Sequence, residues 1–215
     1  MQLVDLSQPI VTNMPVYPGD PNVMIEPALT IAHDWVHVSS LQFGTHTGTH
    51  LDAPSHVVAD GRTVDQLDLA LLQGAACILQ LRETKTVDLR AQPVGINDLA
   101  QLPEQLPEIV GIATGWDHYF RDPLRVDHPY LELALAHTLW DSGARVLGVD
   151  TLSPDSTSQP STGTPVHDFW LGNDGVIVEN LTGLTDLPHE VHMDILPLPL
   201  AGLDGSPVRA VARYP

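Results

Sequence analysis

Ile109-Val110-Gly111-Ile112-Ala113-Thr114 and Val146-Leu147-Gly148-Val149-Asp150 are two short apolar runs of the kind that forms buried strands. Between them, residues 130–142 have the apolar spacing of an amphipathic helix, and Gly143 follows where a helix would end. A strand, a helix and a second strand in this order form a βαβ unit with two parallel strands. The stretch therefore predicts an α/β fold, with functional loops at the carboxyl ends of these strands.

The flanking sequence adds further strands on both sides of this unit. Short apolar or alternating runs predict strands at residues 3–6, 23–32, 36–43, 75–81, 176–179, 195–200 and 208–214. Helices are expected at residues 65–72, before Gly74, and at residues 96–102. Together these elements predict a single α/β domain over residues 1–215, with a mixed, partly parallel β-sheet core, flanking helices and a β-rich N-terminal part.

Charge and composition exclude several classes of protein. Nine Lys and Arg residues stand against 27 Asp and Glu residues, for a net charge of −18, so nucleic acid and anionic membranes are not expected as partners. No stretch reaches the ~20 apolar residues of a membrane helix, and the N-terminus does not resemble a secretory signal. The single cysteine, Cys77, lies in an apolar run and predicts a buried, inert thiol in a cytoplasmic protein.

The chain contains 11 histidines, and three of them cluster in one short segment. This segment reads Gly44-Thr45-His46-Thr47-Gly48-Thr49-His50-Leu51-Asp52-Ala53-Pro54-Ser55-His56. The three histidines and Asp52 share even parity, which places them on one face of an extended strand. On a straight strand His46 and His50 would lie ~13 Å apart, too far to share an ion. We therefore expect a bent segment, with Gly48 and Pro54 at the bends.

Imidazole and carboxylate ligands without thiolate suit zinc, manganese or ferrous iron. The sequence contains neither His-Glu-x-x-His nor Gly-x-Ser-x-Gly, which leaves a metal-bound water as the expected nucleophile of a hydrolase. Two alternatives remain open. His46, His50 and Asp52 could serve a mononuclear Fe(II) oxygenase, or the ion could be structural and fully enclosed by protein ligands.

The segment resembles a known family, the cyclase-like metal-dependent hydrolases that include bacterial kynurenine formamidase and isatin hydrolase. Its signature, His-x-Gly-Thr-His-x-Asp-x-Pro-x-His, is complete from His46 to His56. Further matches occur along most of the chain: Pro18-Gly19-Asp20, Thr114-Gly115-Trp116, Gly148-Val149-Asp150-Thr151, Val178-Glu179-Asn180-Leu181 and Asp204-Gly205-Ser206-Pro207-Val208-Arg209.

The resemblance implies a swivelling β/β/α fold and a site with two divalent metal ions per chain, zinc or manganese. His46 and His50 would bind one ion, and Asp52 would bridge the two ions. His167 and Glu179, which would bridge again, would complete the second. The motif's last histidine, His56, would be the catalytic proton donor and acceptor. For Glu179 there is an independent argument, because an anionic residue that ends the apolar run Val176-Ile177-Val178 needs a cation or solvent.

The resemblance also implies hydrolysis of a carbon–nitrogen amide bond by metal-bound hydroxide. The expected substrate is an aryl formamide such as N-formylkynurenine, with a place in tryptophan catabolism, or else a cyclic amide like isatin. A homodimer or homotetramer is expected.

Two aromatic residues are expected to contact the substrate. Tyr17 stands where kynurenine formamidases of this type carry a tryptophan, just before Pro18-Gly19-Asp20, and it can still stack on an aryl ring. Trp116 is the second candidate for an aromatic pocket. Asp155 lies in a loop of the family and is assigned no role, and the remaining seven histidines are expected to be surface or structural residues: His33, His37, His118, His128, His137, His189 and His192.

Overall fold

The computed structural model describes residues 1–82, 89–159 and 163–215. Its strands are β1 (Gln2–Asp5), β2 (Met24–Leu29), β3 (Val38–Gln42), β4 (His50–Asp52), β5 (Gln73–Gln80), β6 (Pro93–Val94), β7 (Ile109–Ala113), β8 (Tyr130–Leu131), β9 (Val146–Val149), β10 (Val176–Glu179), β11 (Glu190–Pro197) and β12 (Gly205–Tyr214). The α-helices of these residues are α1 (Ile31–Asp34), α2 (Leu133–Asp141) and α3 (Pro165–Gly172). Short 3-10 turns occur at Pro54–His56, Val64–Gln66, Ile96–Asp98, Trp116–Tyr119, Pro123–Asp127 and Leu184–Asp186.

The main sheet closes into a barrel. Its strands follow the order β12-β11-β5-β7-β9-β10-β4, and β4 pairs again with β12, so seven of the described strands form a ring. The strands β5, β7, β9 and β10 are mutually parallel, whereas β4, β11 and β12 pair antiparallel with their neighbours. β1 is added antiparallel to β12 outside the ring.

The predicted fold class, a sheet core with flanking helices, is therefore wrong: the sheet is a closed mixed barrel, and helices are few in the described residues. Closure depends on β12, which pairs with β4 through its first three residues, with β11 through the residues that follow and with β1 near its end. Pro207 lies in the closing segment opposite His50. A proline cannot donate a hydrogen bond to a neighbouring strand, so its presence in the sequence argues against a strand at this position.

At the level of single elements, the outcome is mixed. The parallel pair β7 and β9, with α2 between them in sequence, is confirmed. The helix expected at residues 65–72 is absent, since this described segment is helical only in the 3-10 turn Val64–Gln66. There the Asp68 carboxylate accepts from the Ala70 N–H at 2.9 Å, and the Leu72 carbonyl accepts from the Ile195 N–H of β11 at 2.9 Å. Side-chain and barrel hydrogen bonds thus replace helical ones.

Two apolar cores lie on the two sides of the barrel wall. The inner cluster receives residues from all seven strands, such as Leu51, Ile78 and Val178. The outer cluster lies between β5, β7, β9, β10 and the helices α2 and α3, and Trp170 of α3 is fully buried in it. α3 was not predicted, and it covers the face of the barrel on which the candidate site lies.

The strands β2 and β3 form a separate two-stranded sheet, here named the arm together with α1 between them. The arm exposes apolar side chains, among them Trp35 and Ile31. Among the described residues, no helix has the length and apolar character required to cross a membrane. The cytoplasmic location expected from the sequence stays a prediction.

Candidate metal centre and active site

β4 and β10 place three potential ligands on one face of the barrel wall. His50 and Asp52 are two residues apart on β4, and Glu179 of β10 lies directly opposite His50 in the antiparallel register. Residues in these positions point to the same face, whereas Leu51 between them enters the inner cluster. All three polar side chains are buried beneath the surface of the protein. Two strands thus hold the ligands without any adjustable loop.

The segment before β4 is bent, as the sequence predicts. The ring centroids of His46 and His50 are 5.1 Å apart, far closer than a straight strand allows. Gly48 has φ +64°, a left-handed conformation, and a Cβ there would lie 3.2 Å from Met14 Cε. After Asp52 the chain turns again at Pro54–His56, which brings the His56 ring to 4.1 Å from that of His46.

His167 reaches the same centre from α3, and Asp155 places it there. The Asp155 carboxylate accepts from the Val166 N–H at 2.9 Å, from the His167 N–H at 3.0 Å and from His167 Nδ1 at 2.7 Å. It therefore anchors the first turn of α3 and turns His167 Nε2 inward. Nε2 lies 3.2 Å from Glu179 Oε1 and 3.7 Å from Asp52 Oδ2.

The ligand atoms form two trios that share Asp52. His46, His50 and Asp52 form one, Asp52, His167 and Glu179 form the other, and within each trio the atoms lie within 4.8 Å of one another. In the described part of the chain, the buried atoms His50 Nε2, Asp52 Oδ2 and Glu179 Oε1 have no hydrogen-bond partner. Buried polar atoms rarely remain unpaired, and divalent cations held by the two trios would satisfy all three. The residues thus form clusters able to bind metal.

Hydrogen bonds on the far side of each ring point one nitrogen at the centre. His50 Nδ1 donates to the Gly48 carbonyl at 2.8 Å, which leaves Nε2 facing inward. His46 Nδ1 lies 2.6 Å from Asp52 Oδ1, while its Nε2 donates to Asp204 Oδ2 at 2.9 Å. Such partners fix the tautomer and orientation of a metal-binding imidazole.

Opposite charges dominate the electrostatics of the centre. Burial by itself would lower the pKa of His50, but the Asp52 and Glu179 carboxylates raise it to about 10. The pKa of His167 is likewise raised, despite burial, by Asp155, Asp52 and Glu179. Burial would raise the pKa values of Asp52 and Glu179, yet the neighbouring imidazoles lower both. A metal ion would compete with protons for these imidazoles.

A cavity of about 240 Å³ opens onto this centre. His56 and Tyr17 line it, as do His46, His50, His167 and Glu179, and its apolar wall contains Val16, Val57 and Leu152. Trp116 is not among the described residues that line the cavity. Its side chain is buried in the outer cluster, with its ring centroid 4.6 Å from that of Tyr119. The structure thus brings together seven of the eight predicted site residues and places Trp116 in the core.

Three polar residues near the site were not recognised from the sequence. Asp155 orients His167, and Asp204 contacts both His46 and His56. The buried His128 forms a hydrogen bond of 2.7 Å between its Nε2 and Thr157 Oγ1, in the loop that carries Asp155. Hydrogen bonds from His46 and His56 outweigh burial and lower the pKa of Asp204 to about 2. Asp155 and Asp204 occur in matched family segments, but nothing in their local sequence indicates which ring they contact.

Comparison with known proteins decides the family. The Cyclase family model matches residues 4–156. The chain is 33% identical to the kynurenine formamidase of Geobacillus thermodenitrificans over 213 residues, which is 98% of this chain and 96% of the relative. The chain belongs to the Cyclase family. The resemblance inferred from the His46–His56 motif is thereby confirmed.

Solved structures agree with this cyclase fold. An isatin hydrolase bound to the product analogue thioisatinate superposes with a TM-score of 0.87 at 20% identity, covering 100% of this chain and 92% of the other. A "predicted metal-dependent hydrolase" from Bacillus stearothermophilus superposes with a TM-score of 0.79 at 27% identity, covering 98% and 97%. The prediction of a metal-dependent amide hydrolase is confirmed.

Proposed function

We propose that this cyclase-family enzyme hydrolyses the carbon–nitrogen bond of an aryl formamide, the class to which N-formylkynurenine belongs. The observation that carries the proposal is the group of three buried atoms that form no hydrogen bond, His50 Nε2, Asp52 Oδ2 and Glu179 Oε1, beside a cavity lined by His56. The kynurenine formamidase of Geobacillus thermodenitrificans supports the substrate class. A place in tryptophan catabolism stays a prediction.

The two trios suit two divalent ions, zinc or manganese. His46 and His50 would hold the first ion, His167 and Glu179 the second, and Asp52 is the member common to both trios. Nitrogen and carboxylate oxygen donors match the preferences of these metals. When bound, ions of this kind lower the pKa of water toward neutrality and polarise the amide carbonyl.

His56 is the residue placed to move a proton. It lines the cavity, and its Nδ1 donates to Asp204 Oδ2 at 3.0 Å, which leaves Nε2 as the nitrogen available to a substrate. The nitrogen that leaves an amide must gain a proton as the bond breaks. His56 Nε2 accepts a proton from the attacking water and passes it to the leaving nitrogen. His56 takes no part in either of the trios that contain Asp52.

The remaining cavity wall suits an aryl group. Val16, Val57 and Leu152 offer apolar contact, and the partly exposed ring of Tyr17 can stack on the substrate. We assign the aryl end of the substrate to these residues, because the ligand residues supply the charged part of the cavity lining.

A cyclic amide is the second candidate, and one observation favours it. Among the described residues that line the cavity there is no Arg or Lys, and Asp20 contributes a further carboxylate. An α-carboxylate such as that of N-formylkynurenine would therefore meet no cation from these residues, whereas a neutral ring of the isatin type needs none.

The alternative of a mononuclear iron oxygenase explains fewer residues. A facial set of two histidines and one carboxylate uses His46, His50 and Asp52 only. His167 and Glu179 would then have no function, although Asp155 orients His167 toward Glu179.

The test is a substrate comparison with the zinc- or manganese-loaded enzyme. Formanilide, N-formylkynurenine and isatin are compared at equal concentration, with release of formate or opening of the ring as the readout. We expect hydrolysis of formanilide without oxygen uptake, and the same turnover in anaerobic buffer. Absence of hydrolysis for all three compounds, or strict dependence on oxygen, would refute the proposal. A preference for isatin over both formamides would favour the second candidate.

We also infer that the chain forms a homodimer or homotetramer through the arm. Trp35 is 89% exposed and Ile31 is 69% exposed, which is unusual for large apolar side chains close together in sequence. Light scattering should give two or four times the chain mass of 23.3 kDa. Trp35→Asp should reduce this mass, whereas Leu69→Asp, at an exposed apolar residue outside the arm, should not. A wild-type monomer would refute the inference.

A further inference from the structure

Asp204 connects the two functional parts of the site through a single oxygen atom. It precedes β12, and its Oδ2 lies 2.9 Å from His46 Nε2 and 3.0 Å from His56 Nδ1. Thr45 Oγ1 donates to the other oxygen, Oδ1, at 3.2 Å. The rings of His46 and His56 are 4.1 Å apart at their centroids, so the carboxylate lies at the edge of a closely spaced pair.

The contacts with Asp204 place a proton on one nitrogen of each ring. A carboxylate accepts hydrogen bonds, so His46 Nε2 and His56 Nδ1 both donate. His46 Nδ1 faces a carboxylate as well, Asp52 Oδ1 at 2.6 Å within the first trio, so it also donates until an ion takes the place of its proton. His56 Nε2 is the nitrogen left for proton transfer in the cavity. Asp204 thus keeps a proton on His46 Nε2 and on His56 Nδ1, which leaves His46 Nδ1 as the nitrogen for an ion.

The backbone around Asp204 is held in the place that this role requires. The Asp204 carbonyl accepts from the Ala53 N–H at 2.9 Å, directly after β4. A Cβ on the next residue, Gly205, would lie 2.7 Å from His46 Cε1 and 3.0 Å from the Leu51 carbonyl oxygen. The start of β12 therefore packs against the His46 ring, and only glycine leaves room for it.

We propose that Asp204 is a positioning residue that orients His46 as a metal ligand through Nδ1 and His56 as the proton-transfer group through Nε2. The second half of this statement rests on the proposed hydrolase function, and the first half does not. Asp204 is not among the described residues that line the cavity, so it acts through the two rings rather than by touching the substrate.

His46, His56 and Asp204 also lie close enough to hold a cation themselves. Two ring nitrogens that share one oxygen at 2.9 and 3.0 Å have hydrogen-bond geometry instead. The two possibilities differ in stoichiometry. Loss of a ligand in an additional site would reduce the number of bound ions, whereas loss of an orienting partner would lower the affinity for an ion without changing that number.

The test uses Asp204→Asn, with Asp65→Asn as the matched control. Asp65 accepts from the Gly202 N–H at 2.9 Å, so the control makes the same substitution in a contact to the segment just before Asp204, without touching either ring. In Asp204→Asn, zinc affinity measured by competition with a chromophoric chelator should fall ~10–100-fold, the scale for partners of metal ligands. The number of ions bound at saturation should not change, and Asp65→Asn should match the wild type.

Two further measurements separate positioning from a structural effect. At saturating metal, kcat for formanilide should fall ~10–100-fold in Asp204→Asn with KM unchanged. The double variant His56→Asn with Asp204→Asn should lose no more kcat than His56→Asn, because Asp204 acts on turnover through His56. ¹⁵N NMR of the ring nitrogens should show His56 as the Nδ1–H tautomer in the wild type and as a mixture in Asp204→Asn.

Each negative result has a distinct meaning. Unchanged metal affinity together with an unchanged His56 tautomer would overturn the proposal, and so would a rise in KM alone or the loss of one bound ion. If the wild type hydrolyses none of the amides, the proposed function fails, and metal affinity and NMR still decide the role of Asp204.

Discussion

The site has two halves that differ in how they are supported. His50, Asp52 and Glu179 lie on strands and are 2%, 1% and 6% exposed. His56, Tyr17 and Asp204 lie in loops and turns, and their side chains reach solvent. The strand half holds its geometry through the barrel register, which suits ligands that must stay in place. Of the loop half, His56 and Tyr17 line the cavity, where substrate enters and protons move, and Asp204 contacts His56. Substitutions in the two halves should therefore have different consequences for metal and for turnover.

The largest effect is expected for Asp52→Asn in the strand half. Both trios contain Asp52, so the amide should abolish binding of both ions and hydrolysis together. Elemental analysis after gel filtration, measured beside turnover, checks this. Asp174→Asn, which breaks an exposed ion pair with Arg62 at 2.7 Å, is the control and should retain metal and activity. Full metal content in Asp52→Asn would show that metal binding does not depend on the strand half.

Removal of metal should destabilise the strand half measurably. An ion present at 100 times its Kd stabilises the native state by about 2.7 kcal/mol, and for a domain of this size each kcal/mol shifts Tm by roughly 2–4 °C. Chelation should thus lower Tm by about 5–11 °C, with recovery when zinc is restored. An unchanged Tm in calorimetry would contradict metal binding to the folded protein.

Metal binding should also release protons. The Asp52 and Glu179 carboxylates overcome burial and raise the pKa of His50 to about 10, so the metal-free ring is protonated at pH 7 and must lose its proton to bind an ion. Metal affinity should consequently rise with pH between 6 and 8. A pH indicator in weakly buffered solution detects the release. Metal binding without proton release would contradict this prediction.

In the loop half, His56→Asn should reduce turnover at least ~100-fold, the scale for a general acid or base, while most of the metal remains. Turnover and metal content are measured on the same preparation. Metal loss equal to that of Asp52→Asn would make His56 primarily a ligand, and the comparison between the halves would fail.

The smallest effect is expected for Tyr17. Tyr17→Trp should improve stacking on an aryl formamide by roughly 0.5–1.5 kcal/mol. It should lower KM more than it changes kcat, because Tyr17 lines the cavity but belongs to neither ligand trio. Steady-state kinetics with N-formylkynurenine checks the split. If Tyr17→Phe abolished turnover while binding persisted, the phenol would take part in the chemistry and His56 would not be the sole proton donor.

The sequence alone determined the parts of this protein that depend on neighbouring residues. The parity of His50 and Asp52 follows from strand geometry, and the bend at Gly48 follows from the distance that separates His46 and His50 on a straight chain. The complete motif from His46 to His56 was sufficient to indicate the family. These features lie within a few residues of one another, so backbone geometry alone relates them.

Only the tertiary structure decided the features that join distant segments. The pairing of β4 with the first residues of β12 closes the barrel, and it joins positions about 150 residues apart. The same pairing brings Asp204 to His46 and His56. Asp155 contacts His167 at a separation of 12 residues, where the first turn of α3 folds back onto it. Trp116 has the same aromatic character whether it lines a pocket or fills a core, and packing against the outer cluster decided between them. Local patterns show which face of a strand is apolar, but the partner of each strand depends on the packing of the whole chain.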